Sequence, residues 1–226
     1  MKLNALEGYL QEVRVFDNPK VHYEQYPTSA HLAARIVYTA ANSYDDIEDK
    51  LVADLGCGCG MLGIAAFLMG AGHVTGLDID ADALGIAQAN ISKFEVPMDL
   101  VRSDITHPNP VDQDATASLI ANEALLRRLS KTVDTVVMNP PFGTKPGNKG
   151  IDMAFLRAAL TLATTAVYSL HKSSTRDYIR AKAKSWGATG QVLAELRFDV
   201  PQMYKFHKKK SVDIQVDLWR FQQDSC

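Results

Sequence analysis

The 226 residues are 46% hydrophobic and 22% charged, a composition that builds a core and excludes a disordered chain. Three cysteines cannot form a disulfide framework, so the compartment reads as reducing, and no 18-residue apolar run exists to span a membrane. The net charge of −2 hides an asymmetry: residues 1–170 carry 13 basic and 20 acidic side chains, residues 171–226 carry 11 and 6, so the later part suits a polyanion.

The opening MKLNALEGYLQEVRVFDN meets charges before any apolar run and does not read as a signal peptide. Helical spacing covers Leu3–Arg14 and Ser29–Asn42, the second capped by Thr28 or Ser29, and residues 1–50 form a helical cap on one domain spanning 1–226. Strand Leu51–Leu55, helix Met61–Met69, strand His73–Leu77, helix Ala81–Phe94 and strand Met98–Arg102 follow in alternation. Residues 108–131 are polar with two prolines and then amphipathic (SLIANEALLRRLSK), which marks an insertion. Strand Val133–Met138, helix Asp152–Thr164, strand Thr165–Ser169 and helix Ser174–Trp186, capped by Ser173 or Ser174, resume the pattern. Gln191–Arg197 and Val212–Arg220 alternate more and fit an antiparallel edge pair. The order predicts an α/β fold: a seven-stranded, mostly parallel sheet with helices on both faces and an antiparallel edge strand.

Two motifs carry chemistry. Asp54, Gly56, Cys57, Gly58, Cys59 and Gly60 end the first strand and open a helix, where glycines permit a tight turn and free N–H groups await a ligand. Gly58-x-Gly60-x-x-Gly63, with Asp78 after the next strand, also matches a dinucleotide fingerprint, so a nicotinamide oxidoreductase stays open here. Against it, Asp54 would crowd two phosphates. Cys57 and Cys59 read as small residues in a crowded loop, and with no further Cys or His pair at ligand spacing, no metal is assigned.

The second motif is Asn139-Pro140-Pro141-Phe142 at the end of the fourth strand. Two prolines remove N–H donors there, leaving the Asn139 side-chain oxygen and the Pro140 carbonyl to accept from a planar amine. Holding both amine hydrogens frees the nitrogen lone pair, so catalysis is positioning plus electrostatics with no side-chain nucleophile. Phe142 can stack on the acceptor ring.

These stretches resemble the class I S-adenosylmethionine-dependent methyltransferases, which have a Rossmann-like fold. EQYPT (24–28), DLGCGCG, GLDID, VMNPPFGTK, AVYSLHKSSTR (166–176) and FHKKKSVDIQVD (206–217) together are similar to the N6-adenine methyltransferases of eukaryotic small-subunit (18S) ribosomal RNA. The resemblance implies S-adenosyl-L-methionine held by Gln25, Thr28, Asp54, Gly56, Gly58, Cys59, Gly60, Met61, Asp78, Asp104 and Ile105, with Asp78 on the ribose and Asp104 on the adenine amine. It further implies a heterodimer with a small zinc-containing activator subunit, and work in the nucleus (nucleolus) and cytoplasm. The sheet edge at Met98–Arg102, with Val101 facing out, is where such a subunit would add a strand. Lys145, Lys172, Arg176, Phe206, His207, Lys208, Lys209 and Lys210 are the expected RNA contacts, basic side chains interleaved with aromatics. Protein-glutamine N5- and guanine-N2 methyltransferases share the Asn-Pro-Pro motif, and a catalytically silent RNA-binding subunit is the further alternative, so the motif alone does not choose the acceptor.

Overall fold

The computed structural model describes residues 1–106, 130–145, 147–201 and 211–224. The expected insertion at 108–131 lies, except for its last two residues, outside them, as do Phe206, His207, Lys208, Lys209 and Lys210. The elements in chain order are α1 (Leu3–Leu10), α2 (Ala30–Tyr44), β1 (Leu51–Leu55), α3 (Met61–Leu68), β2 (His73–Asp78), α4 (Ala81–Lys93) and β3 (Met98–Arg102). Then come β4 (Val133–Met138), α5 (Ile151–Leu162), β5 (Ala163–Lys172), α6 (Arg176–Ser185), β6 (Ala188–Pro201) and β7 (Ser211–Gln223).

The seven strands run in the order β3-β2-β1-β4-β5-β7-β6. The first five are parallel, and β7 pairs antiparallel with both β5 and β6, so the expected antiparallel pair closes one end of the sheet. Strand order reverses between β1 and β4, the crevice where open α/β sheets bind ligands at their carboxyl ends. One core packs α1, α2 and α3 onto one face through Leu6, Leu10, Ile36, Val37 and Ile64. The other packs α5 and α6 onto the opposite face through Phe155, Leu156 and Ile179. Because β7 is covered on both sides, Val216 and Leu218 are buried on one face and Asp217, Trp219 and Phe221 on the other.

Several boundaries differ from the sequence pattern for identifiable reasons. Helix α1 stops at Leu10 because i to i+3 turns follow and Asn90 then captures Arg14, accepting from its N–H (3.0 Å) and donating to its carbonyl (2.8 Å). Ser29 is the cap of α2, its hydroxyl accepting from Leu32 N–H (3.3 Å). Neither Ser173 nor Ser174 caps α6: a 3-10 turn occupies Ser173–Thr175, and the Ser173 hydroxyl donates to Asp217 (2.7 Å). Strands β5, β6 and β7 are longer than expected, since mutual pairing extends them past the apolar runs.

Candidate functional site

A cavity of about 360 Å³ opens at the carboxyl ends of β1, β2, β3 and β4, within the usual size of a small-molecule site. The glycine loop forms its floor. Gly56 and Cys57 N–H both donate to Leu77 O on β2 (2.8 and 3.0 Å), which folds the loop across the carboxyl end of the sheet. Gly58 sits at φ +53°, and a Cβ there would press the Phe16 ring at 3.0 Å, so the covering segment around Phe16 and the left-handed turn both favour glycine.

Asp54 is almost wholly buried and accepts the Gly63 N–H (2.8 Å), pinning the first turn of α3 beside the cavity. Burial pushes its carboxyl up to about 7, against the pull of the Gly63 N–H and with help from the Asp78 charge. An unfolded Asp titrates near 3.9, so between about pH 4 and 7 the native chain holds a proton that the unfolded chain has released. Stability therefore falls as pH rises through that window, by at most about 1.4 kcal/mol per unit. Asp54→Asn keeps an acceptor for Gly63 and should flatten this slope. Denaturant midpoints from pH 4 to 8 check it; parallel curves for the two proteins would show that Asp54 ionises normally.

Asp78 ends β2 with one oxygen accepting Gly58 N–H and the other Asp80 N–H, both at 2.8 Å. Burial raises its carboxyl, with those N–H groups opposing. Each oxygen retains a lone pair beyond these bonds. Asp80 caps α4 by accepting the Asp82 N–H (3.1 Å). Burial would raise the Asp80 carboxyl, but bonds from Lys20 (2.6 Å) and Gln25 (2.7 Å) outweigh it and hold it below the usual range. Burial pushes the Cys59 thiol up to about 12 and Cys57 well above its ordinary value, so both are inert small side chains in the loop wall.

Met61, Asp104, Ile105, Thr28 and Gln25 all line the cavity, as do Gly56, Gly58 and Cys59. Gln25 has both amide ends engaged, donating to Asp80 and accepting Lys20 N–H (2.8 Å), so its contribution is to close the wall. Asp104 turns the chain after β3 by accepting the Thr106 N–H (2.9 Å) and hydroxyl (2.8 Å) on one oxygen.

Asn139 and Pro141 line the same cavity from the segment just past β4. The Asn139 amide donates to Thr28 Oγ1 (3.0 Å), while its Oδ1 is buried without a partner among the described residues. That oxygen is an acceptor held ready for a donor that the described residues do not supply. Phe142 differs from expectation: its ring is buried in the core, so stacking on an acceptor requires it to leave that packing. Sequence reading also passed over Glu24, a buried carboxylate gripping the loop after Phe142 through Thr144, Lys145 and Asn148. Nothing but its place in EQYPT could have singled it out.

The expected RNA contacts divide. Lys172 flanks a groove with Ser174, Arg197, Ile214 and Gln215. Lys145 is half-buried, its N–H donating to Glu24 (3.1 Å). Arg176, expected on a phosphate, is instead committed to buried Asp217 by two 2.7 Å bonds and to Glu195 at 2.9 Å, because an uncompensated Asp217 could not remain charged inside the sheet.

A model of the ribosomal protein L11 methyltransferase (PrmA) family matches residues 27–140. The chain is 52% identical over 222 residues to the Danio rerio rRNA N(6)-adenosine-methyltransferase METTL5, covering 98% of this chain and 99% of that one. Against the Drosophila melanogaster rRNA N(6)-adenosine-methyltransferase Mettl5 the identity is 50%, with 98% and 97% covered. A solved Pyrococcus horikoshii structure, of a protein proposed to be an RNA methyltransferase, superposes with a TM-score of 0.80 at 30% identity over 100% and 99% of the chains.

Proposed function

Because the chain belongs to the METTL5 family of rRNA N(6)-adenosine-methyltransferases, we propose that it methylates N6 of an adenosine in ribosomal RNA, in the small (18S) subunit, using S-adenosyl-L-methionine. The observation that carries the acceptor chemistry is the unpartnered Asn139 Oδ1 at the cavity wall. S-adenosyl-L-methionine, when bound, supplies an electrophilic methyl group. The residues present fit it: Asp78 offers lone pairs to a ribose, Asp104 an acceptor to an adenine edge, and Met61, Ile79, Ile105 and Phe155 apolar walls.

Asn139 Oδ1 accepts one N–H of the adenosine amine, and the Pro140 carbonyl, with no competing proline N–H beside it, is the second acceptor. Fixing both hydrogens turns the nitrogen lone pair out of the ring and toward the donor. The family model ends at residue 140, so it covers the cofactor half and only the start of the acceptor motif. The full-length relatives are rRNA enzymes, and this favours RNA over a protein glutamine. They are also methyltransferases by name, which removes the nicotinamide reading. A ribosomal-RNA acceptor implies work in the nucleolus and cytoplasm. Purified protein offered adenosine-containing rRNA fragments and glutamine peptides tests the reading: methyl incorporation into peptide alone would refute it.

A small zinc-containing activator subunit is proposed on the outer side of β3. Within the described sheet β3 pairs only with β2, and Val101 is 41% exposed. An exposed edge recruits another strand. Val101→Arg should lower the yield of co-purified heterodimer and its melting temperature, because a partner that binds only the native state stabilises it. Cofactor affinity of the isolated chain should not change. Undiminished heterodimer on gel filtration would move the interface elsewhere.

A further inference from the structure

We propose that Glu24 is a positioning residue for the acceptor loop: it holds Thr144, Lys145 and Asn148 so that Asn139 meets the acceptor amine in register. The proposal rests on the methyl-transfer reading above. Glu24 follows a short 3-10 turn at Val21–Tyr23, its N–H closing on Val21 O (3.0 Å). Its φ of +50° is a left-handed conformation that few non-glycine residues adopt, and it turns the carboxylate into the molecule, where the residue is 4% exposed.

There the carboxylate is held by four hydrogen bonds from one loop. Oε1 accepts Thr144 N–H (2.9 Å), Lys145 N–H (3.1 Å) and the Asn148 amide (3.1 Å), and Oε2 accepts the Thr144 hydroxyl (2.9 Å). Asn148 also donates to His22 O (2.9 Å). The loop begins immediately after Phe142, and Gly143 at φ +68° folds it so tightly that a Cβ there would lie 2.9 Å from Asn148 O. Four residues beyond Glu24, Thr28 accepts from the Asn139 amide, and one residue beyond it Gln25 binds Asp80 on the cofactor side. A single short segment thus grips the acceptor loop at two points and the far wall at a third. An acceptor site set by such contacts loses rate when a reacting group moves by about an ångström, on the order of 100-fold.

The full chain, with its partner subunit where the wild type requires one, is assayed on an adenosine-containing rRNA fragment at saturating S-adenosyl-L-methionine. Glu24→Ala should lower kcat by roughly 10- to 100-fold while calorimetric cofactor affinity stays within about threefold at unchanged stoichiometry. A purely structural role would instead lower the stoichiometry and the melting temperature together. Glu24→Gln keeps an oxygen for the three N–H donors and an N–H for the Thr144 hydroxyl, and should recover to within about threefold of wild type. Should Glu24→Ala not fold, Asn148→Ala removes one donor from the loop side and should still lower kcat about fivefold with cofactor affinity kept. The proposal is overturned if cofactor affinity falls in step with kcat, if both Ala variants keep wild-type kcat, or if the Gln variant is as poor as Ala. A wild type that methylates no RNA overturns the functional reading, and this proposal with it.

Discussion

Asn139→Ala should abolish methyl transfer, by at least about 10²- to 10³-fold in kcat, the scale of losing one preorganised hydrogen-bonding group at a reacting centre. Cofactor affinity should survive, because the Asn139 amide nitrogen bonds Thr28 and its Oδ1 is open, with no hydrogen bond from Asn139 to Asp78 or Asp104 among the described residues. The variant should also unfold no more easily than wild type. A buried acceptor without a donor costs about 1–3 kcal/mol, so deleting it offsets the lost Thr28 bond. Stability retained with activity gone is the signature of a group kept for function. Calorimetric titration with S-adenosyl-L-methionine beside a turnover assay decides the matter; affinity lost in proportion to rate would assign Asn139 to cofactor binding.

The parts of this site that were legible in sequence are those whose residue types carry backbone consequences. Glycines at 56, 58 and 60 and prolines at 140 and 141 act through φ and missing N–H groups, and these effects do not depend on distant partners. Parallel strands β1, β4 and β5 were legible for a similar reason: strands covered on both faces need mostly continuous apolar runs. Glu24 was not legible because its donors lie 120 to 124 residues away. Arg176 misled because a basic side chain looks the same whether it awaits a phosphate or neutralises a carboxylate 41 residues on. Phe142 misled because an aromatic beside a site pattern can equally be core, and here it is.

Arg220→Met should be strongly destabilising, costing about 3–5 kcal/mol. Arg220 Nε donates to Asp46 Oδ2 (2.8 Å) and lies 3.1 Å from the Tyr168 hydroxyl, which itself donates to the same Asp46 oxygen at 2.6 Å. The guanidinium sits over the Tyr44 ring at 4.5 Å. The paired side chains are only 10% and 3% exposed, so removing the cation strands the Asp46 charge where water cannot reach it. Asp46→Asn in the same chain removes that charge, and the double variant should regain part of the loss, a coupling readable in a double-mutant cycle. In a chain of this size the single change should lower Tm by roughly 10 °C. A loss under about 1 kcal/mol in urea denaturation would mean the carboxylate finds water once the arginine is gone.

The position of β7 between β5 and β6 carries a consequence for biosynthesis. Among the described residues strand β6 has no hydrogen-bonded neighbour except β7, and β5 meets no strand on that side until β7 arrives. Residues 211–223 are therefore translated after every other described element, yet fill an interior place. A nascent chain emerging at about 5–20 residues per second can assemble the five parallel strands and the cofactor crevice first. The β6 segment and the open side of β5 must then wait, unpaired, until residues 211–223 have been made. That interval is when a chaperone would be most needed, and a ribosome stalled before residue 211 would hold a sheet whose crevice is built and whose flank is open.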